Sequence, residues 1–264
     1  MDTNLFRQFV PVLRDMTDAD LAIEIGRPQR LLIEDNIFRG KNIEVAYAPF
    51  DHVNLEAKIA IVGLTPGRQQ MHNALFEARR SLLRGSSEEQ AMRDAKIFAS
   101  FSGPMRANLV AMLDSIGVNH RLGILSTSTL WNSDANLVHF TSALRYPVFV
   151  DGMNYSGAPS IITTPLLQKH LIAWFSAEMA ALPNAIFVPL GPNVTAAVEL
   201  AARQIGLSAS RLLSGLPHPS GANSERIAFF LGRKSRDMLS NKVEPERLLA
   251  ARTSLEAKIL AWVK

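Results

Sequence analysis

Two turns in this chain carry residue types that suit chemistry on a substrate. Gly63-Leu64-Thr65-Pro66-Gly67 follows Lys58-Ile59-Ala60-Ile61-Val62, a β-branched apolar run with the signature of a buried parallel strand. Leu216-Pro217-His218-Pro219-Ser220-Gly221 follows a second short apolar run, Arg211-Leu212-Leu213. A histidine between two prolines has a restricted backbone, which helps to fix the direction of its imidazole. A donor fixed in that way can stabilise negative charge that develops on a leaving group where water is excluded. A structural histidine capping the next helix is the plain alternative. Other chemistry finds less support. Asp51-His52 lies just upstream of the first run, where such a dipeptide is ordinary loop material. His72, His120, His139 and His170 show no metal-ligand spacing to one another or to carboxylates. Gly63 to Gly67 lacks both the Gly-Lys-Ser/Thr of a P-loop and the pattern Gly-x-Gly-x-x-Gly.

The elements that must position these turns alternate along the chain. Apolar runs at 58–63, 121–126, 137–143, 185–191 and 211–216 read as strands. Amphipathic stretches at 69–84, 86–99, 104–116, 165–181, 192–205, 223–237 and 244–263 read as helices. Strands alternating with long helices predict an α/β fold, a three-layer α/β/α arrangement around a central, mostly parallel sheet. Ligands in such folds bind at the carboxyl ends of strands, where Gly63, Leu190-Gly191 and Leu216 fall. A single domain is expected over residues 1–264: a mostly helical lead-in at 1–56, a core at 57–237 and a last helix at 238–264. Thr17-Asp18-Ala19-Asp20 reads as a helix start, and 151–160 as a long loop that could overhang the site.

Composition narrows the class. The chain has 264 residues, 47% of them hydrophobic, enough for one substantial core. Its mean hydropathy of +0.07 suits a compact chain. No apolar run reaches the roughly 18–20 residues of a membrane span, and the start shows no basic region followed by an apolar stretch. A cytoplasmic protein is expected, as a monomer and away from membranes. Cysteine is absent, which excludes disulfides, cysteine nucleophiles and iron–sulfur clusters. The net charge of +4 suits a nucleic-acid partner, because phosphate contacts release counterions. Arg226, Arg233, Lys234 and Arg236 concentrate positive charge after the second turn, and on one helix 226, 233 and 236 would share a side.

The two turns, in this order, resemble the two active-site loops of the uracil-DNA glycosylase superfamily. A third stretch, Phe101-Ser102-Gly103-Pro104 followed by Leu109, Met112, Leu113, Ile116 and Gly117, resembles the Phe-Val-Gly turn and helix of its bacterial iron–sulfur branch. Ile186-Phe187-Val188-Pro189-Leu190-Gly191-Pro192-Asn193 resembles a superfamily strand that ends in glycine before a helix. The resemblance spans about residues 57 to 237. It implies the superfamily fold, DNA as the partner and a base flipped out of the duplex. His218 would donate to the base as it leaves, and Thr65 would place the attacking water. Phe101 would stack against the flipped base, beside Gly63, Leu64 and Ser142; a core phenylalanine is the alternative. Arg68, Arg145, Ser220 and Arg226 would contact DNA. No metal and no cofactor are implied.

Two departures bear on the substrate. Several superfamily branches have aspartate or asparagine where this chain has Thr65, and the iron–sulfur branch has alanine. A hydroxyl orients water but cannot take its proton, so general-base help of roughly 10²–10⁴-fold is unavailable from this position. In Phe140-Thr141-Ser142-Ala143-Leu144-Arg145, Ser142 stands where uracil readers carry asparagine, and Arg145 where they carry lysine. Serine cannot make the two-point contact of an amide, and it frees volume. Asn132, Asn136 or Asn154 could supply a substitute amide. The expected activity is therefore a DNA glycosylase that hydrolyses the N-glycosidic bond of a non-canonical or modified base, such as a modified pyrimidine of phage DNA, in repair or antiphage defence. A non-catalytic nucleic-acid-binding member of the same fold, and an unrelated α/β hydrolase, are the alternatives.

Overall fold

The computed structural model describes residues 5–101 and 104–262, so Ser102 and Gly103 of the third stretch lie outside the described residues. The chain opens with α1 (Phe6–Asp15) and α2 (Asp18–Gly26). A capping box starts α2: the Thr17 hydroxyl accepts from the Asp20 N–H, and the Asp20 carboxylate accepts from the Thr17 N–H. Next come β1 (Leu32–Phe38), β2 (Lys41–Ala46) and β3 (Ile59–Gly63), then α3 (Arg68–Leu83), α4 (Glu88–Ala99), α5 (Pro104–Ser115) and α6 (Val118–Leu122). β4 (Val138–Ser142), β5 (Val148–Val150) and β6 (Met153–Asn154) follow. The rest is α7 (Pro165–His170), a π-helical turn at Leu171–Ser176, α8 (Ala177–Ala180), β7 (Ile186–Pro189), α9 (Pro192–Gln204), α10 (Ser224–Phe230) and α11 (Pro245–Ala261).

This is a mixed α/β fold with a parallel three-stranded sheet in the order β4-β3-β7. Ile59 to Val62 run in parallel register with Ile186 to Pro189. Every residue of β3 and β7 is buried, which explains why these strands read as unbroken apolar runs. Four expectations need correction. The lead-in is not mostly helical, because β1 and β2 form an antiparallel hairpin turned by Arg39 (φ 52°) and Gly40 (φ 77°). The 151–160 stretch is not all loop: Asp151 (φ 50°) and Gly152 (φ 74°) turn β5 into β6. Residues 121–126 form no strand, since α6 ends at Gly123 (φ 75°) and Leu125 is 97% exposed. Residues 211–216 supply a single bridge, Leu212 to Phe187, in place of a strand.

The chain divides into two compact units. The first comprises Met1–Val53, Gly63–Ser100 and Phe140–Ala181; the second comprises Asn54–Val62, Phe101–His139 and Leu182–Lys264. The first holds the antiparallel sheet β1-β2-β5-β6. Its interior encloses an ionic group around Glu178, whose side chain is 1% exposed. One Glu178 oxygen accepts from Arg145 Nε (3.0 Å) and Nη2 (2.8 Å), and the other from Lys96 Nζ (3.2 Å). Burial pulls Lys96 down to about 8 against the opposing pull of Glu178. Beside it, buried Asp51 accepts from the hydroxyls of Tyr146 (2.7 Å) and Tyr47 (3.1 Å) and from the Leu5 N–H (2.8 Å). Burial pushes the Asp51 carboxyl up, although these donors and Arg145 pull the other way.

Removing one partner of a buried pair strands the other charge, at a cost of about 3–5 kcal/mol. Glu178→Gln should therefore lower unfolding free energy by an amount of that order, read as a shift in urea midpoint at unchanged slope. A loss below about 1 kcal/mol would show that the Glu178 charge is dispensable.

Candidate functional site

The first unit brings Gly63, Leu64, Thr65 and Ser142 together. The Gly63 and Leu64 carbonyls accept from the Ala143 (2.9 Å) and Leu144 (3.0 Å) N–H groups, so the turn after β3 runs on beside the exit of β4. The Thr65 hydroxyl donates to the Tyr146 carbonyl (2.9 Å) and accepts from the Val148 N–H (3.2 Å). One lone pair of that oxygen is left over. At the far end of the turn, Asn154 accepts from the Arg68 N–H (3.1 Å) and caps α3. Of the three asparagines considered as substitute amides, Asn154 is thus tied to this loop.

Two arginines expected on DNA make contacts within the fold, and the burial of one of them, Arg145, corrects its assignment. Arg145 is 3% exposed and bound to Glu178, so it has no face for a phosphate. The Arg68 guanidinium is held by the carbonyls of Ile25, Gly26 (2.8 Å) and Gly152 (2.6 Å) and lies 4.2 Å from the centre of the Phe149 ring. It braces the hairpin β5–β6 against the end of α2.

The second unit holds the His218 turn. Gly191, at φ +91° ahead of α9, leaves a Cβ position 3.4 Å from the Cβ of His218, so the tight turn after β7 also makes room for the histidine. The Ser220 N–H lies 3.3 Å from His218 Nδ1 and donates to it. Nδ1 is therefore the acceptor, and the ring proton belongs on Nε2. Burial lowers the His218 pKa from its ordinary value of 6.5, which keeps the ring neutral at neutral pH. The result is a neutral imidazole that presents a single N–H.

A cavity of about 700 Å³ opens beside this ring, lined by His218, Thr195, Asn223, Arg226, Lys242 and Arg247 among others. Arg226 is set in its wall by Asn223 Oδ1 (3.2 Å) and the Lys242 carbonyl (2.6 Å). The Ser220 hydroxyl accepts from Asn223 Nδ2 (3.2 Å). The expected basic helix face is corrected, because α10 ends at Phe230 and Lys234 pairs with Glu225 (2.7 Å). Lys234 and Ser240 hold Glu225 down at about 2.

Helix α5 connects the third stretch to the His218 turn within this unit. Its Arg106 donates to the Phe101 carbonyl (2.8 Å), and its Asn108 to the Pro219 carbonyl (2.9 Å). Phe101 sits at φ 45°, an uncommon conformation for a bulky residue, and is 7% exposed. A base could stack on its ring only after local movement. Among the described residues, no group of three His, Cys, Asp or Glu side chains could hold a metal. No helix among them is long and apolar enough to cross a membrane. Sequence reasoning missed the Glu178 and Asp51 groups, whose members are scattered along the chain and share no motif.

The chain is 38% identical over 202 residues to the uncharacterized protein YoxB of Bacillus subtilis (strain 168), across 75% of this chain and 78% of that protein. No family model matches the chain, and no solved structure matches it.

Nitrogen-detected NMR at pH 7 should show His218 neutral, with its proton on Nε2 and a pKa below 6.5. The unfolded chain then binds this proton more readily. The contribution of His218 to stability is complete above about pH 6.5 and is lost as pH falls through the folded value. A proton on Nδ1, or a pKa above 6.5, would contradict the Ser220 contact.

Proposed function

We propose that this chain, which belongs to the same family as the Bacillus subtilis protein YoxB, is a DNA glycosylase with a uracil-DNA-glycosylase-like α/β/α fold. The observation that carries the reading is the His218 tautomer. Cleavage of an N-glycosidic bond leaves negative charge on the departing base. A neutral imidazole whose Nδ1 is already satisfied by the Ser220 N–H has one thing to offer, the Nε2 proton. Such a ring donates to a base oxygen as charge builds there, and it need not release a proton to do so.

The remaining roles follow the resemblance, adjusted by the geometry. Thr65 uses its hydroxyl proton on the Tyr146 carbonyl, so it receives a water's hydrogen in place of activating that water. This suits a path in which the base departs first and water arrives late on an oxocarbenium-like sugar. Ser142, half-buried at the end of β4, offers a smaller side chain than the asparagine of uracil readers. The reading therefore assigns a modified or bulkier base as substrate, as suits defence against foreign DNA. Arg226 and Ser220 keep their assignment to DNA, and Phe101 its assignment to the flipped base. The internal engagement of Thr65 also favours a second reading, a non-catalytic DNA-binding member of the fold. That reading requires salt-sensitive DNA affinity without abasic product.

On a confirmed substrate, His218→Ala should cost roughly 10²–10³ in single-turnover rate at near-normal DNA affinity. Near-normal turnover in that variant would remove His218 from the mechanism. Against a panel of duplexes, wild-type protein should leave alkali-labile sites at modified pyrimidines in preference to uracil. Ser142→Asn should move that preference toward uracil by about 1–3 kcal/mol, read as the ratio of rates. Efficient uracil excision by wild type, with modified bases untouched, would show that Ser142 is neutral.

A further inference from the structure

The second unit contains another cavity, of about 820 Å³, at the other end of its strands. Lys58 directly precedes β3, Leu137 precedes β4 and Ala185 precedes β7, and all three line it. His218 packs against Gly191, which lies beyond the carboxyl end of β7. The four residues of β7 alone separate the two by roughly 13 Å.

The lining of this cavity is one-sided in charge. Lys58, Arg121, Arg211 and Lys258 all contribute, and among the described residues no carboxylate does. Two of these cations are fixed in place by neutral carbonyls. Arg211 Nε donates to Ala185 (2.9 Å) and its Nη2 to Leu182 (2.7 Å), while Lys258 Nζ donates to Leu212 (2.8 Å). Carbonyls hold these groups without cancelling their charge. Arg121 and Lys58 have free heads: among the described residues, neither side chain makes a hydrogen bond or ion pair. The Nε of Arg121 is moreover buried without an acceptor. A buried guanidinium N–H without a partner is costly and signals a missing acceptor. Asn184 and Ser210 add two neutral polar side chains to the wall, and the rest of it is apolar and includes Trp262.

We propose that this cavity binds a nucleoside polyphosphate. Guanidinium forks and ammonium groups match phosphate oxygens, and several uncompensated cations call for more than one phosphate. The indole of Trp262 gives a base a stacking surface, and Asn184 and Ser210 are neutral polar groups suited to a base edge or a sugar. The volume falls within the roughly 300–1,000 Å³ usual for small-molecule sites. Phosphates neutralise the mutual repulsion of four cations, and one of their oxygens supplies the acceptor that Arg121 Nε lacks. The site is independent of the glycosylase reading, because none of its lining residues belongs to the His218 turn or its cavity.

Isothermal titration calorimetry with the full-length chain tests this, using ATP, adenosine and inorganic tripolyphosphate at moderate salt. ATP should bind one per chain, adenosine not at all, and tripolyphosphate about tenfold or more weakly than ATP. Lys58→Ala combined with Arg121→Ala should weaken ATP at least about tenfold with an unchanged melting temperature, since neither head supports the fold. Trp262→Ala should weaken ATP and leave tripolyphosphate unaffected, which separates recognition of a base from recognition of bare anions. The proposal fails if ATP does not bind, or if the double variant binds it undiminished. It also fails if tripolyphosphate binds as well as ATP, or if a short oligonucleotide requires Lys58 and Arg121 while ATP does not bind.

Discussion

The arrangement around the Gly63–Gly67 turn depends on one buried carboxylate. Glu178 answers two buried cations at once, Arg145 through one oxygen and Lys96 through the other. Arg145 anchors the segment after β4 by this contact. The next residue, Tyr146, donates its hydroxyl to Asp51 and offers its carbonyl to Thr65. A charge group in the interior thereby sets the position of the turn through one short stretch of chain. Burial alone disfavours every charge in this group, so its members are tolerable only together.

The His218 turn is organised differently, by backbone rather than by charge. Prolines flank the histidine, Gly191 leaves space for it, and the Ser220 N–H selects its tautomer. None of these devices needs a second ionisable group. A ring kept neutral by burial and oriented by a backbone N–H is suited to hydrogen-bond donation. It is poorly suited to proton abstraction, because the nitrogen that could accept is occupied.

Much of the fold could be read from the chain because burial leaves a one-dimensional trace. The run Ile59 to Val62 is apolar throughout because both of its faces are covered. The capping box at Thr17 and the glycine–proline pair ahead of α9 are local signals with local causes. The hairpin β1–β2 was hidden for the opposite reason: its outer strand is half-exposed and carries Glu34, Asp35 and Asn36, poor strand formers. Asp151-Gly152 was a hairpin signal overlooked within a stretch rich in loop residues. At the candidate site, the restricted backbone of His218 could be read from its two flanking prolines. The fate of Arg145 could not. Its partner Glu178 and the neighbouring Lys96 lie 33 residues after it and 49 residues before it, and only the tertiary fold unites them.

A chain that breaks the bond between a base and its sugar, as proposed, must release the base, and that free base is the most direct witness of the activity. Mass spectrometry of the small-molecule fraction, after incubation with DNA carrying modified pyrimidines, measures it. The proposed glycosylase should yield a free modified base, released in equal amount to new alkali-labile sites and made by wild-type protein but scarcely by His218→Ala. Bound but chemically intact DNA, with no free base at any protein excess, would contradict it.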